Sequence, residues 1–241
     1  MSVIQPNSKP VTDNEAERDS FLPLLLALVA MLAFLPLLAP WPLLMSSIAS
    51  LVLLTGLLAV LRDRPFRLAV ISALVVGLPL RWMAQFWGNS TPVLLLLSHA
   101  TIAITFAILE IVVLVRILTH SRVTRQSVIG AICGYVILGF LFAFVYAVLT
   151  YFNSNAINVG GQPLGVEQVS NVQRHLSELV YFSFITLTTV GYGDIVPVSP
   201  IARSTVILEA LAGQLYLAAF VARLIGAMSP PASCPLPNES K

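Results

Sequence analysis

No charged residue stands between Asp19 and Arg62, none between Arg81 and Glu110, and none between Arg125 and Glu167. A soluble chain places a charge at about one position in four. Here 57% of the 241 residues are hydrophobic, 10% are charged, and the mean hydropathy is +0.89. Such runs fit lipid, where a helix satisfies its own backbone and needs about 20 apolar residues to cross. Six stretches reach or approach that length: 21–38, 43–61, 68–83, 92–118, 127–152 and 201–228. The fold class predicted is an all-α integral membrane protein with six transmembrane helices. The third stretch is the weakest, because Pro79 and Arg81 interrupt its end. Pro23 and Pro36 mark the first as bent or short.

One apolar segment, 176–188, is too short to cross. At about 1.5 Å per residue it covers about 20 Å, so it should enter the membrane and return. Residues 1–20 and 229–241 are polar or proline-rich and read as flexible cytoplasmic tails; the first lacks the basic start of a secretory signal. With the amino terminus inside, Lys9, Arg18, Arg62, Arg64, Arg67, Arg116, Arg122, Arg125, Arg223 and Lys241 fall on the inner side. Arg81, Arg174 and Arg203 alone fall outside, as the positive-inside rule requires. Trp41, Trp82 and Trp87 then anchor outer span ends. Cys133 and Cys234 are too far apart in sequence and setting to imply a disulfide framework. No zinc cluster, nucleophile–base arrangement or phosphate loop is present, so no enzyme is expected, and nothing points to nucleic acid or a small-molecule substrate.

The return of the short segment reads Thr188-Thr189-Val190-Gly191-Tyr192-Gly193-Asp194. Consecutive carbonyls can face one axis only if the backbone visits positive φ at some positions, which Gly191 and Gly193 permit. Val190 and Tyr192, pointing away from that axis, should pack against surrounding helices. The Thr-Val-Gly-Tyr-Gly string, set between a short apolar segment and a long one, resembles the selectivity filter of pore-loop potassium channels. The resemblance is strongest over 127–228 and marks that region as a pore domain of outer helix, pore helix, filter and inner helix. It leaves 21–126 as a four-helix region. It implies that K⁺ is the transported ion, held by the carbonyls of Thr189, Val190, Gly191 and Tyr192 and by the Thr189 hydroxyl. Thr188, Gly193 and Asp194 would complete the filter and its mouth. A single chain supplies a quarter of the ring, so a fourfold homotetramer is expected. The implied setting is the plasma membrane, the inner membrane in a bacterium, with both termini cytoplasmic.

Around the filter, Tyr181 has a hydroxyl within reach of Asp194, whereas Phe182 has no donor for Tyr192. Ile185 stands where some family members carry a Glu. The carboxyl end of the pore helix directs partial negative charge toward the cavity. Gly213, in the last span, is either a hinge or a site of close packing. Gln214, Leu217 and Val221 share its face and are candidates to line the cavity. Glu209, one turn earlier, is either a cation-concentrating group or a hydrogen-bond acceptor supporting the filter from behind. Gly130 and Gly134 form a small-xxx-small pattern suited to close helix approach.

The first four spans lack the periodic basic residues of a voltage sensor. Arg116 is the sole basic residue inside the fourth, with Arg122 and Arg125 beyond it; His99 and Glu110 are its other ionisable groups. His99 reads as a membrane histidine with satisfied partners or as a pH sensor. Two competing identities remain: a membrane sensor or regulatory subunit with a vestigial pore, and a potassium-transporter subunit. The full set of filter glycines argues against the first. The single pore repeat argues against the second.

Overall fold

The computed structural model describes residues 21–38, 41–60, 64–87, 92–119, 124–164 and 172–228. The tails expected at 1–20 and 229–241, and Arg122 and Cys234, lie outside them. Seven helices account for most of what is described: α1 Leu22–Leu38, α2 Pro42–Val60, α3 Arg64–Trp87, α4 Pro92–Thr119, α5 Arg125–Phe152, α6 Val172–Leu187 and α7 Pro200–Met228. Four contain stretches long and apolar enough to cross a membrane: Val70–Trp87 in α3, Pro92–Thr119, Arg125–Phe152 and Pro200–Gly226. In α1 and α2 the apolar stretches are the shorter Leu22–Leu35 and Ser46–Gly56. This is a mostly helical membrane protein with four candidate spans where six were expected.

Two expectations are corrected. Pro79 and Arg81 do not interrupt the third segment, because α3 runs through both to Trp87. A proline removes one backbone hydrogen bond, a loss that neighbouring packing makes tolerable in a membrane helix. The fold is also not purely helical. Strands β1 Ile157–Val159, β2 Gln162–Pro163 and β3 Ile195–Pro197 form an antiparallel sheet in the order β2-β1-β3. Val159 pairs with Gln162 across Gly160 and Gly161, whose φ values of 55° and 83° give the doubly positive turn that a tight hairpin favours.

Local chemistry sets the ends of α5. Thr124 and Ser127 form a reciprocal capping box, each side chain meeting the other's backbone N–H, at 3.2 and 3.3 Å. At the other end the Asn153 N–H closes on the Leu149 carbonyl at 3.0 Å.

The main core joins the leading helices to α5. Leu24, Leu28 and Met31 of α1 and Val52 of α2 pack with Leu74 of α3, Leu109 of α4 and Ile137 of α5. Phe106 stacks on Phe140 and Phe144, with ring centroids 5.8 and 5.7 Å apart. Phe140 meets Phe184 of α6 edge-on at 5.5 Å. Gly139 makes that approach possible, since a Cβ there would lie 2.7 Å from the Phe184 ring. Gly130 faces Phe21, while Gly134 faces both Tyr216 of α7 and Val113 of α4. A second core, with Tyr146, Ile157, Leu179, Phe182, Ile195 and Ala202, binds the sheet to α5, α6 and α7.

Candidate functional site

α6 begins at Val172, four residues before the expected start, and stops at Leu187. The last carbonyls of a helix lack intrahelical donors. Here every one of the final four finds a partner. Phe184 O accepts from the Thr188 N–H at 3.0 Å and the Thr188 hydroxyl at 2.6 Å. Ile185 O accepts from Val190 and Gly191, Thr186 O from Thr189, and Leu187 O from the Tyr135 hydroxyl at 3.0 Å. These bonds curl the chain back on the helix end and launch the segment that follows.

That segment alternates. Thr189, Gly191 and Gly193 have φ of 59°, 52° and 79°, and Val190 and Tyr192 between them are not positive. An ordinary strand points successive carbonyls in opposite directions. Reversing the handedness at every second residue is how a backbone turns consecutive carbonyls to one side. Among the described residues, none of the carbonyls of Thr188 to Gly193 accepts a hydrogen bond. A run of acceptors without donors at the end of a short, partly buried helix is chemically suited to a dehydrated cation. The two glycines were legible in the sequence. The positive φ of Thr189 was not, and only its place two residues before Gly191 and four before Gly193 hints at it.

The side chains of Val190 and Tyr192 face outward from the single chain. In the single chain they are 51% and 74% exposed.

The outer end of the segment is tied down from two sides. The Tyr181 hydroxyl donates to Asp194 Oδ2 at 2.9 Å, and this bond holds the phenol above its ordinary pKa. The Gly160 N–H donates to the Asp194 carbonyl at 3.0 Å. Directly after Asp194, Ile195 pairs with Val159 in the sheet. Phe182 turns the other way and is buried against Tyr146, ring centroids 5.1 Å apart. Ile185 is buried.

Behind the segment, Glu209 of α7 is fully buried. The Tyr146 hydroxyl of α5 donates to its Oε2 at 2.5 Å, and Ser183 of α6 hydrogen-bonds to its Oε1. Ser183 also reaches the Gly139 carbonyl at 2.7 Å. Neither Tyr146 nor Ser183 was singled out from the sequence, though each is a polar residue in an apolar run. Gly213 meets the end of α6: a Cβ there would lie 2.7 Å from Leu187 Cδ1 and 2.9 Å from its carbonyl oxygen. α7 passes through Gly213 unbroken. Gln214, Leu217 and Val221 lie on an exposed part of α7 in the single chain.

Farther away, His99 packs beside the Phe144 ring, and Arg116 is the sole basic residue of α4. The Arg116 guanidinium lies over the Phe21 ring, 5.3 Å from its centroid. Glu110 is buried, and neither of its oxygens has a hydrogen-bond partner among the described residues.

Residues 131–229 match the family model described as "Ion channel". They are an ion-channel pore domain. The match runs from α5 to the end of α7 and so contains the donor-free carbonyls, and it is to an ion channel rather than an enzyme. A curated relative, the inward rectifier potassium channel Kirbac3.1 of Paramagnetospirillum magnetotacticum, is 45% identical over 42 residues. That stretch covers 17% of this chain and 14% of the relative's length. No solved structure matches the chain.

Proposed function

We propose that the protein is the subunit of a homotetrameric K⁺-selective channel that conducts passively across the plasma membrane. The observation that supports this best is the alternation of φ through Thr-Val-Gly-Tyr-Gly with no donor, among the described residues, to any carbonyl from Thr188 to Gly193. Four such segments around one axis would replace the water shell of K⁺ with the carbonyls of Thr189, Val190, Gly191 and Tyr192 and the Thr189 hydroxyl. Gly193 and Asp194 would form the outer mouth, Thr188 the turn beneath. Neighbouring subunits would supply the packing that Val190 and Tyr192 lack. Gln214, Leu217 and Val221 would face the inner cavity, and Gly213 would let α7 pass close to the end of α6. In this reading α1 and α2 complete a six-span subunit whose termini are both cytoplasmic. The region 21–126 would serve as a four-helix surround without a charge ladder.

Ion flux into liposomes carrying the purified protein tests the proposal. K⁺ and Rb⁺ should enter far faster than Na⁺, and Gly191→Ala should abolish the difference. Na⁺ entering as readily as K⁺ would refute it.

A further inference from the structure

The Ser183 hydroxyl owns a single hydrogen and lies against two oxygens, the Gly139 carbonyl at 2.7 Å and Glu209 Oε1. A carbonyl has no hydrogen to give, and 2.7 Å is the spacing of an O–H···O bond, too close for two bare oxygens. The Ser183 hydrogen therefore lies on the line to Gly139. Its oxygen can then meet Glu209 only as an acceptor, so the hydrogen between them comes from the carboxyl. The other oxygen, Oε2, accepts from Tyr146. One oxygen donating and one accepting is the pattern of a carboxylic acid, since a carboxylate accepts through both.

The surroundings agree. Glu209 is fully buried, and among the described residues it makes no ion pair and no hydrogen bond to Lys, Arg or His. The groups that face it from α5 and α6 are hydroxyls. A bare carboxylate among them, within an apolar core in lipid, would cost several kcal/mol, with neutral hydroxyls and no cation to offset it.

We infer that Glu209 is held as a neutral acid and is a positioning residue for the filter. It latches α7 to α5 through Tyr146 and to α6 through Ser183. One turn further along α7, Gly213 receives the end of α6 at Leu187. The latch and that contact hold the same two helices at two levels, and so fix the height at which the segment from Thr188 leaves α6. The functional part of this inference rests on the channel reading; the location of the hydrogen does not.

Infrared difference spectra of the full-length wild type and Glu209→Gln in liposomes at neutral pH test the location. The variant should lose a carboxylic-acid C=O band and no carboxylate band. A glutamine amide also reproduces the bonding, its oxygen accepting from Tyr146 and its N–H donating to Ser183. Glu209→Gln should therefore keep K⁺ flux within about twofold of wild type, while Glu209→Ala, which leaves buried hydroxyls unpaired, should lower it about tenfold or more. Loss of a carboxylate band in place of the acid band, or a glutamine variant as impaired as the alanine one, would overturn the inference. If the wild type passes no K⁺ at all, the channel reading falls, and the infrared measurement still decides where the hydrogen resides.

Discussion

Thr189 carries the sole positive φ found on a non-glycine among the described residues. For a β-branched side chain that conformation is an outlier, costing about 1–2 kcal/mol, and it persists only where the surroundings enforce it. The enforcement is visible in the N–H groups of Thr189, Val190 and Gly191, all bound back to carbonyls of α6. Replacing Thr189 with Gly should relieve the backbone and raise thermal stability slightly, while removing the hydroxyl and weakening K⁺ over Na⁺ selectivity. Thermal unfolding and ion flux on the same preparation check both halves. Gly191→Ala places a Cβ at φ 52° and should destabilise each subunit by about 1–2 kcal/mol, read as a lower unfolding temperature. Gly213→Ala puts a methyl 2.7 Å from Leu187 Cδ1 and 2.9 Å from a backbone oxygen, so α6 and α7 must separate. A cost of about 1–3 kcal/mol is expected for such overpacking, measurable by denaturant titration. The residues at glycine positions were legible in sequence because glycine announces positive φ. Thr189 was not, because its conformation comes from bonds to a helix end that only the folded chain brings near.

At the scale of elements, the long helices were legible from apolar length alone. The sheet was not. Its strands are two or three residues long, too short to show an alternating pattern. Its position gives it a task, because β1 pairs with the three residues that follow Asp194. The Gly160 N–H adds a bond to the Asp194 carbonyl. Gly160→Pro removes that donor and imposes a negative φ where the chain has 55°. The outer mouth should loosen without loss of the helical core. Hydrogen exchange at Ile195 should speed up, while exchange in α5 stays as in the wild type. Equal acceleration in both would show that the hairpin has no such local role. The helix α3 teaches the opposite lesson. Pro79 is a strong local signal for interruption, yet the helix continues, because packing over 24 residues outweighs one missing bond.

For the whole molecule, the exposed apolar faces are informative. Ile207, Leu208, Leu211 and Leu215 of α7 are more than half exposed, as are Val190 and Tyr192. Lipid and neighbouring subunits would share these faces in a tetramer, and a mass measurement in a membrane-mimicking detergent should give four copies. The sequence predicted that assembly from the filter string, while the side chains that need neighbours became visible only when the single chain left them bare. With Arg116 the one basic residue in α4, the conductance of a working channel should change little with voltage, and a shallow current–voltage relation in planar bilayers would show it.

The row of rings from Phe106 through Phe140 to Phe184 has a mechanical meaning. Phe184 stands next to Ile185, the residue whose carbonyl gathers Val190 and Gly191. The leading helices are thus braced against the end of α6 from which the segment after Leu187 departs. A tilt of α4 would therefore press on the end of α6 through these rings and, because the Arg223 side chain donates to the Leu118 carbonyl at 3.1 Å, would pull on α7 as well.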